Sequence, residues 1–119
     1  MKKMFIVPWG TYPFDVLVCL GSSREEILNK LHKLGYSLNH KELDNLHMDS
    51  IGRTVILEGG QTVLWLKRYP KEITGLVAHE IWHAVSFLFD RIGVTLDDSS
   101  DEAFAYAIQH LTDEILEKL

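Results

Sequence analysis

A glutamate between two histidines is the part of this 119-residue chain whose residue types and spacing can do chemistry: His79-Glu80-Ile81-Trp82-His83. Residues four positions apart on an α-helix lie about 6 Å apart along the axis and about 40° apart around it, so the two imidazoles can converge on one metal ion. Glu80 lies about 100° round from His79, where its carboxylate can reach a water on the metal. Zinc accepts two neutral nitrogens and a carboxylate and leaves its fourth position to water. The motif therefore predicts a Zn²⁺ site with Glu80 as general base.

The third metal ligand has to come from outside this motif. The longer form H-E-x-x-H-x-x-G-x-x-H is absent, because Ser86 and Phe89 stand where its glycine and its last histidine would be. Glu102 follows His83 by nineteen residues, at the predicted start of the last helix. A loop before that helix lets it fold back against the motif helix. Glu102 is therefore the preferred third ligand.

Alternatives to this assignment remain open at the level of sequence. Other side chains that can take the metal-binding role are Asp101, Asp98 and His110. Glu102 can also act as a purely structural residue, since Ser99 three positions earlier fits a helix-capping box.

Tyr106 lies four residues after Glu102 and therefore on the same helical face. Its hydroxyl can stabilise a developing oxyanion or orient Glu102, so Tyr106 is a candidate catalytic residue. A tyrosine at the edge of a hydrophobic core needs neither role.

The elements that must position these residues follow from hydrophobic periodicity and from turn and cap residues. Three strands are predicted, the last two joined as a hairpin by Gly59-Gly60: 15–20, 54–57 and 62–66. Three helices are predicted, the first with a serine–glutamate capping box: 24–34, 70–92 and 101–119. The polar segment 36–52 is predicted to be a loop with one helical turn. Apolar residues nearly encircle the motif helix, which predicts a place for it in the middle of the domain.

Composition sets the broad class of the protein. With 46% hydrophobic and 24% charged residues, residues 1–119 are expected to form a single globular domain. A net charge of −5 argues against nucleic acid as a partner. The chain has no apolar run of the roughly 20 residues that cross a membrane. Pro8 and Gly10 interrupt the short apolar stretch near the start, so we expect no signal peptide and a cytoplasmic protein.

At these residues the chain resembles the zincin metallopeptidases, and within them the glutamate-liganded branch, the gluzincins. His-Glu-Ile-Trp-His-Ala-Val followed by Asp-Glu-Ala-Phe-Ala-Tyr is also similar to small H-E-x-x-H proteins of bacteriophages and prophages and to ImmA/IrrE-type peptidases. The resemblance covers about residues 54–119. It implies Zn²⁺ held by His79, His83 and Glu102, with Glu80 as general base and a peptide or protein as substrate.

The resemblance also implies a fold: an α+β, small zincin-like domain. Its sheet would have about three strands, with one N-terminal helix and two C-terminal helices that carry the metal. In zincins an edge strand above the metal holds an extended peptide by main-chain pairing, and residues 61–69 are the candidate here. The chain departs from the larger gluzincins because Asp101 precedes Glu102 where they have asparagine. The rival hypothesis is a zincin-shaped binding or regulatory module whose metal is structural or absent.

Overall fold

The computed structural model describes residues 2–10, 12, 14–67 and 73–118 and has an α+β fold. The elements in chain order are β1 (Lys3–Val7), β2 (Val16–Leu20), α1 (Arg24–Lys33), α2 (His40–Asn45), β3 (Gly52–Ile56), β4 (Thr62–Leu66), α3 (Ile73–Arg91) and α4 (Asp101–Lys118). The α+β class predicted from the sequence is confirmed. The short helix α2 is the helical turn predicted within 36–52.

The four strands form one mixed sheet in the order β1-β2-β4-β3. The central strands β2 and β4 are parallel, and both outer strands pair antiparallel to their neighbours. Side chains of α1 pack on one face of the sheet, whereas α3 and α4 pack on the other. The sheet therefore separates two hydrophobic cores.

The expected sheet of about three strands was one strand short. β1 pairs with β2 from Lys3↔Leu20 to Val7↔Val16. Its apolar run is short and lies between two lysines and Pro8, so the local pattern is weak. Pairing with the fully buried β2 makes it a strand.

Helix α1 begins at a complete capping box. The Ser23 hydroxyl accepts from the Glu26 amide at 3.1 Å, and the Ser23 amide donates to Glu26 Oε1 at 3.0 Å. The Ser23 amide, with Lys2 as a further donor, holds the pKa of the Glu26 carboxyl below its usual value. The sequence also offers Ser22 with Glu25 at the same spacing, but the box forms between Ser23 and Glu26.

Replacing Ser23 with alanine is expected to lower the free energy of unfolding by about 1 kcal/mol, because the first turn of α1 loses a hydrogen-bond acceptor. Urea denaturation followed by circular dichroism measures the change. Ser37→Ala, at an exposed position outside the helices, is the control and should stay within about 0.5 kcal/mol of the wild type.

The β3–β4 hairpin forms as predicted, and its turn depends on Gly60. The Gly60 backbone has φ +101°, and a Cβ at this position would clash with the ring of Phe14. The Gly60 amide donates to the Leu57 carbonyl at 2.8 Å. Only glycine combines this backbone angle with the absence of a side chain.

Residues 61–69 were expected to supply an edge strand. This expectation is wrong, because β4, the strand within this segment, is not at an edge. β4 lies between β2 and β3, and all five of its residues are buried. An uninterrupted apolar strand is stable where both its edges and both its faces are covered. β3 is the edge strand on this side of the sheet; residues 68–70 lie outside the described part of the chain.

The motif helix α3 does not occupy the middle of the molecule. It covers one face of the sheet, with Val77, Ile81 and Leu88 buried beneath it, while Trp82 stays 43% exposed. The sheet forms the central layer, because β2 and β4 have apolar side chains on both faces and helices must cover each face. The predicted first turn of this helix at 70–72 lies outside the described residues. No helix in the described ranges is both long and apolar enough to cross a membrane.

Candidate metal centre

His79 and His83 lie one helical turn apart on the outer side of α3, and their imidazoles converge. The two Nε2 atoms are 3.3 Å apart, with ring centroids at 4.9 Å and planes at 73°. His79 is exposed and His83 is half-buried. The His83 ring also stacks on Phe87, with centroids 6.1 Å apart.

This separation fits the donor set of a zinc ion. Two nitrogens each bound at about 2.0–2.1 Å in tetrahedral geometry lie about 3.3–3.4 Å from each other. In the absence of a metal, the same distance suits a weak N–H···N hydrogen bond between neutral rings. His79 and His83 therefore offer two of the ligands that a Zn²⁺ site needs.

Glu80 points from the same helix toward the edge strand β3 and is only 4% exposed. The Thr54 hydroxyl donates to Glu80 Oε1 at 2.7 Å and lies 3.2 Å from the Glu80 carbonyl oxygen. A buried carboxylate is costly unless a donor reaches it. Thr54 supplies that donor and fixes the orientation of the carboxylate.

Gly52 brings the main chain of β3 close to this glutamate. A Cβ at residue 52 would lie 3.1 Å from Glu80 Oε2, 3.0 Å from Leu66 Cδ2 and 3.3 Å from Leu76 Cδ1. A side chain here would push on Glu80 and on its packing neighbours. Glycine at this position therefore lets strand and carboxylate approach each other closely.

An open cleft of about 470 Å³ lies where α3 meets the start of β3. His79 and Glu80 line it together with residues 50–52, Gly75 and Leu76. One histidine of the pair and the neighbouring glutamate thus both border the same solvent-accessible space. The cleft can admit a small polar group or an extended chain to both of them.

Replacing Thr54 with valine is expected to destabilise the fold by about 1–3 kcal/mol, because the buried carboxylate of Glu80 loses its hydroxyl donor. Thr54→Ser keeps the hydroxyl and is the matched control, with a smaller loss from the missing methyl group. Chemical denaturation of both variants measures the difference. Equal stabilities of the valine and serine variants would contradict this role of Thr54.

Glu102 is not brought to the histidine pair. It lies exposed in the first turn of α4, about 160° round the helix from the buried Phe104 and about 140° from the buried Ala107. Phe104 faces α3, and the centroids of the Phe104 and Phe89 rings are 4.4 Å apart. Within the described ranges, no three side chains of His, Cys, Asp or Glu form a group that could hold a metal ion.

The alternatives for the third ligand are also separate from the pair. Asp98 and Asp101 are exposed residues of the same segment as Glu102. His110 lies farther along α4, where its Nε2 is 2.8 Å from the Pro8 carbonyl oxygen. The capping box suggested for Ser99 is not formed, because the Ser99 hydroxyl donates to Asp97 Oδ1.

The candidate catalytic residue Tyr106 and the single cysteine, Cys19, both lie apart from the histidine pair. Tyr106 is 65% exposed and shares the outward face of α4 with Glu102. Cys19 is buried in β2, where burial raises the pKa of its thiol to about 12. A thiol with this pKa is neutral at physiological pH and is a poor nucleophile and metal ligand.

The sequence did not point to Thr54 or Gly52 as site residues, since a threonine and a glycine at the start of a strand are ordinary. Ser86 was also passed over; its hydroxyl is buried one turn beyond His83 and has no hydrogen-bond partner among the described residues. Thr54 and Gly52 are recognised only once the structure shows β3 packed beside α3.

Comparisons with protein-family models, with curated proteins and with solved structures find no match to this chain. The resemblance to the zincins therefore depends on the motif residues of the sequence alone.

Proposed function

We propose that this protein is a zinc-dependent metallopeptidase that hydrolyses peptide bonds, with His79 and His83 as metal ligands and Glu80 as general base. The observation that carries the proposal is the 3.3 Å separation of the two Nε2 atoms beside a buried, oriented glutamate. When bound, Zn²⁺ would supply Lewis-acid chemistry, polarising a carbonyl and lowering the pKa of water.

The chain's own residues then account for the proton transfers. Glu80 accepts a proton from the attacking water and later delivers it to the leaving amine. The Thr54 hydroxyl occupies Oε1 of Glu80, which leaves Oε2 to face the reactants. Thr54 is in this view a positioning residue that keeps the base in one rotamer.

The edge strand β3 is suited to hold an extended peptide substrate. In its register with β4, the main-chain N–H and C=O groups of Thr54 and Ile56 point away from β4. No other described residue bonds to them. A peptide added as a further strand would pair with these groups next to Glu80. The role first assigned to residues 61–69 thus passes to β3.

The third ligand is part of the proposal and depends on the position of Glu102 in the sequence and on the family resemblance. Glu102 is the candidate, with Asp101 and Asp98 as alternatives, and Tyr106 as an oxyanion-stabilising residue beside it. The outward direction of Glu102 on α4 does not support direct binding in this conformation. Glu102→Gln and Asp101→Asn, each compared with the wild type for Zn²⁺ affinity, identify the ligand by the larger loss.

A second candidate function is a binding module whose metal is structural or absent. It is favoured by one observation: the described residues offer two grouped metal-binding side chains and not three. Two histidines on one helix can staple a domain or a partner without supporting turnover.

Metal analysis combined with chelation distinguishes the two candidates. The peptidase should bind about one Zn²⁺ per chain and hydrolyse an unfolded protein such as casein. A chelator should then remove activity while the melting temperature changes little. A structural metal instead predicts a fall in melting temperature of more than about 10 °C on chelation, with no hydrolysis beforehand. Lack of zinc binding under loading conditions would contradict the metallopeptidase proposal.

A further inference from the structure

A second open cleft, of about 450 Å³, lies beside the C-terminal half of α3. It is lined by the outer side of that helix, by residues 94–96 and by Phe104 of α4. Its volume is within the range of about 300–1,000 Å³ that is typical of binding sites. The cleft therefore has room for a long side chain.

The cleft borders the histidine pair on the side away from β3. Around the axis of α3, Trp82 lies about 60° from His79, in the direction opposite to Glu80. Phe87, whose ring stacks with that of His83, is also part of the lining. A peptide that lies over the pair therefore has β3 on one side and this cleft on the other.

The wall formed by residues 94–96 is held by hydrogen bonds at both of its ends. Gly93 has φ +80°, and the Val94 amide donates back to the last turn of α3 at 2.8 Å. Beyond the wall, the Ser99 hydroxyl and amide donate to the Asp97 carboxylate at 2.6 and 2.8 Å and hold the pKa of that carboxyl below its usual value. The cleft is therefore preformed, and the Asp97 carboxylate is engaged within the loop.

Aromatic rings form much of the lining. Trp82 is 43% exposed, and its ring centroid lies 6.2 Å from that of Phe104. Leu96, which is 48% exposed, adds an aliphatic surface. The face of an aromatic ring attracts cations, and tryptophan does so most strongly.

The polar side chains of the lining can all accept hydrogen bonds, and none of them is basic: Asp90, Ser86 and Thr95. The Ser86 hydroxyl has no partner among the described residues, and no described cation pairs with the Asp90 carboxylate. Arg91 is directed away, since its guanidinium donates to main-chain carbonyls of the β3–β4 turn. The C-terminal end of a helix also carries partial negative charge. These features favour a positively charged occupant.

The chain around the cleft has the same sign of charge. Residues 84–109 contain one basic residue, Arg91, and five acids: Asp90, Asp97, Asp98, Asp101 and Glu102. A surface of one sign raises the local concentration of oppositely charged ligands. A basic peptide is therefore attracted to this side of the molecule.

We infer that this cleft binds an arginine side chain of the peptide substrate, within about three residues of the scissile bond. The guanidinium stacks on the Trp82 ring and pairs with the Asp90 carboxylate, while the methylene groups contact Leu96. Asp90 follows His83 by seven positions, about 10 Å along the axis of α3. About three residues of extended chain span this distance. That the bound peptide is a substrate rests on the proposed function, whereas the preference of the cleft for arginine does not.

Titration of the ¹⁵N-labelled protein with the peptide acetyl-Ala-Ala-Arg-Ala-Ala-amide, in the presence of a chelator, tests the inference by NMR without any metal. Saturable shifts are expected for the indole N–H of Trp82 and for the amides of residues 94–96. The same peptide with norleucine in place of arginine keeps an aliphatic side chain without the charge. It should bind at least about fivefold more weakly.

Two variants examine the two contacts of the guanidinium. Asp90→Asn should reduce the preference for arginine over norleucine to about twofold or less, because the ion pair is lost. Trp82→Leu should weaken binding of the arginine peptide about threefold, because the aromatic face is lost. Asp113→Asn, at an exposed position of α4 outside the lining, is the charge-matched control and should keep the wild-type preference. The spectra show directly that each variant is folded.

Three results would overturn the inference: no saturation up to millimolar arginine peptide, equal affinities for the arginine and norleucine peptides, or equal effects of Asp90→Asn and Asp113→Asn. The peptidase proposal is judged separately from casein digests. Hydrolysis at sites without an arginine within three residues would refute the inference and leave the peptidase intact. Preferential binding of the arginine peptide without any hydrolysis would refute the peptidase and leave the specificity of the cleft intact.

Discussion

Replacement of Glu80 by glutamine is expected to lower metal-dependent peptide hydrolysis by about 10²- to 10⁴-fold, while the zinc content stays at the wild-type level. Glutamine has nearly the same shape and can still accept the hydrogen bond from Thr54, but its amide cannot take a proton from water. Initial rates on a fluorogenic casein substrate and elemental analysis of the same samples measure both quantities.

The control for this variant is Glu117→Gln, an exposed carboxylate in the last turn of α4. It makes the same chemical change far from the motif and should leave the rate unaltered. Full activity of the zinc-loaded Glu80→Gln protein would refute the assignment of Glu80 as general base. Loss of zinc together with activity would mean that Glu80 supports the metal site instead.

Alanine at His79 or at His83 is expected to weaken Zn²⁺ binding by at least about a hundredfold, because each substitution removes one of two converging nitrogen donors. The double variant should lose little more than either single variant, since the remaining imidazole alone is a weak site. Competition with a chromogenic zinc chelator measures the affinities.

His32→Ala is the matched control for the histidine variants, as His32 is an exposed residue of α1. Its zinc affinity should equal that of the wild type. If the His79 and His83 variants also kept the wild-type affinity, the convergence of the two rings would have another origin, such as the direct hydrogen bond between them.

The energetic cost of the motif is distributed unevenly over its three polar residues. His79 remains exposed and His83 half-buried, so their rings keep contact with water. Glu80 alone is withdrawn from solvent, where an unpaired carboxylate would cost several kcal/mol. The Thr54 hydroxyl offsets part of this cost.

Local patterns predicted most of the secondary structure. The capping box of α1, the glycine turn of the hairpin and the periodicity of α3 and α4 involve residues within a few positions of each other, so their geometry follows from the chain itself. β1 was not predicted, because its short apolar run becomes a strand only through pairing with β2. The same limit applied to β4, whose central position depends on a parallel partner more than forty residues earlier.

The candidate metal-binding residues show the same difference between local and long-range arrangement. His79, Glu80 and His83 are four positions apart at most, and a single helix is enough to bring the two imidazoles together. Glu102, in contrast, belongs to a different helix, α4. The apolar face of α4, which includes Phe104, packs inward, so the Glu102 side chain lies on the outer face.

The sequence by itself determined the histidine pair, the glutamate between them and the helix that carries all three, because these features depend on the 3.6-residue repeat of one helix. Only the tertiary structure decided that β3 is an edge strand, that Gly52 and Thr54 lie against Glu80, and that a pocket opens beyond β2 and β4. These arrangements depend on which strands pair and which face each helix covers, and burial across the whole sheet, not local spacing, selects them.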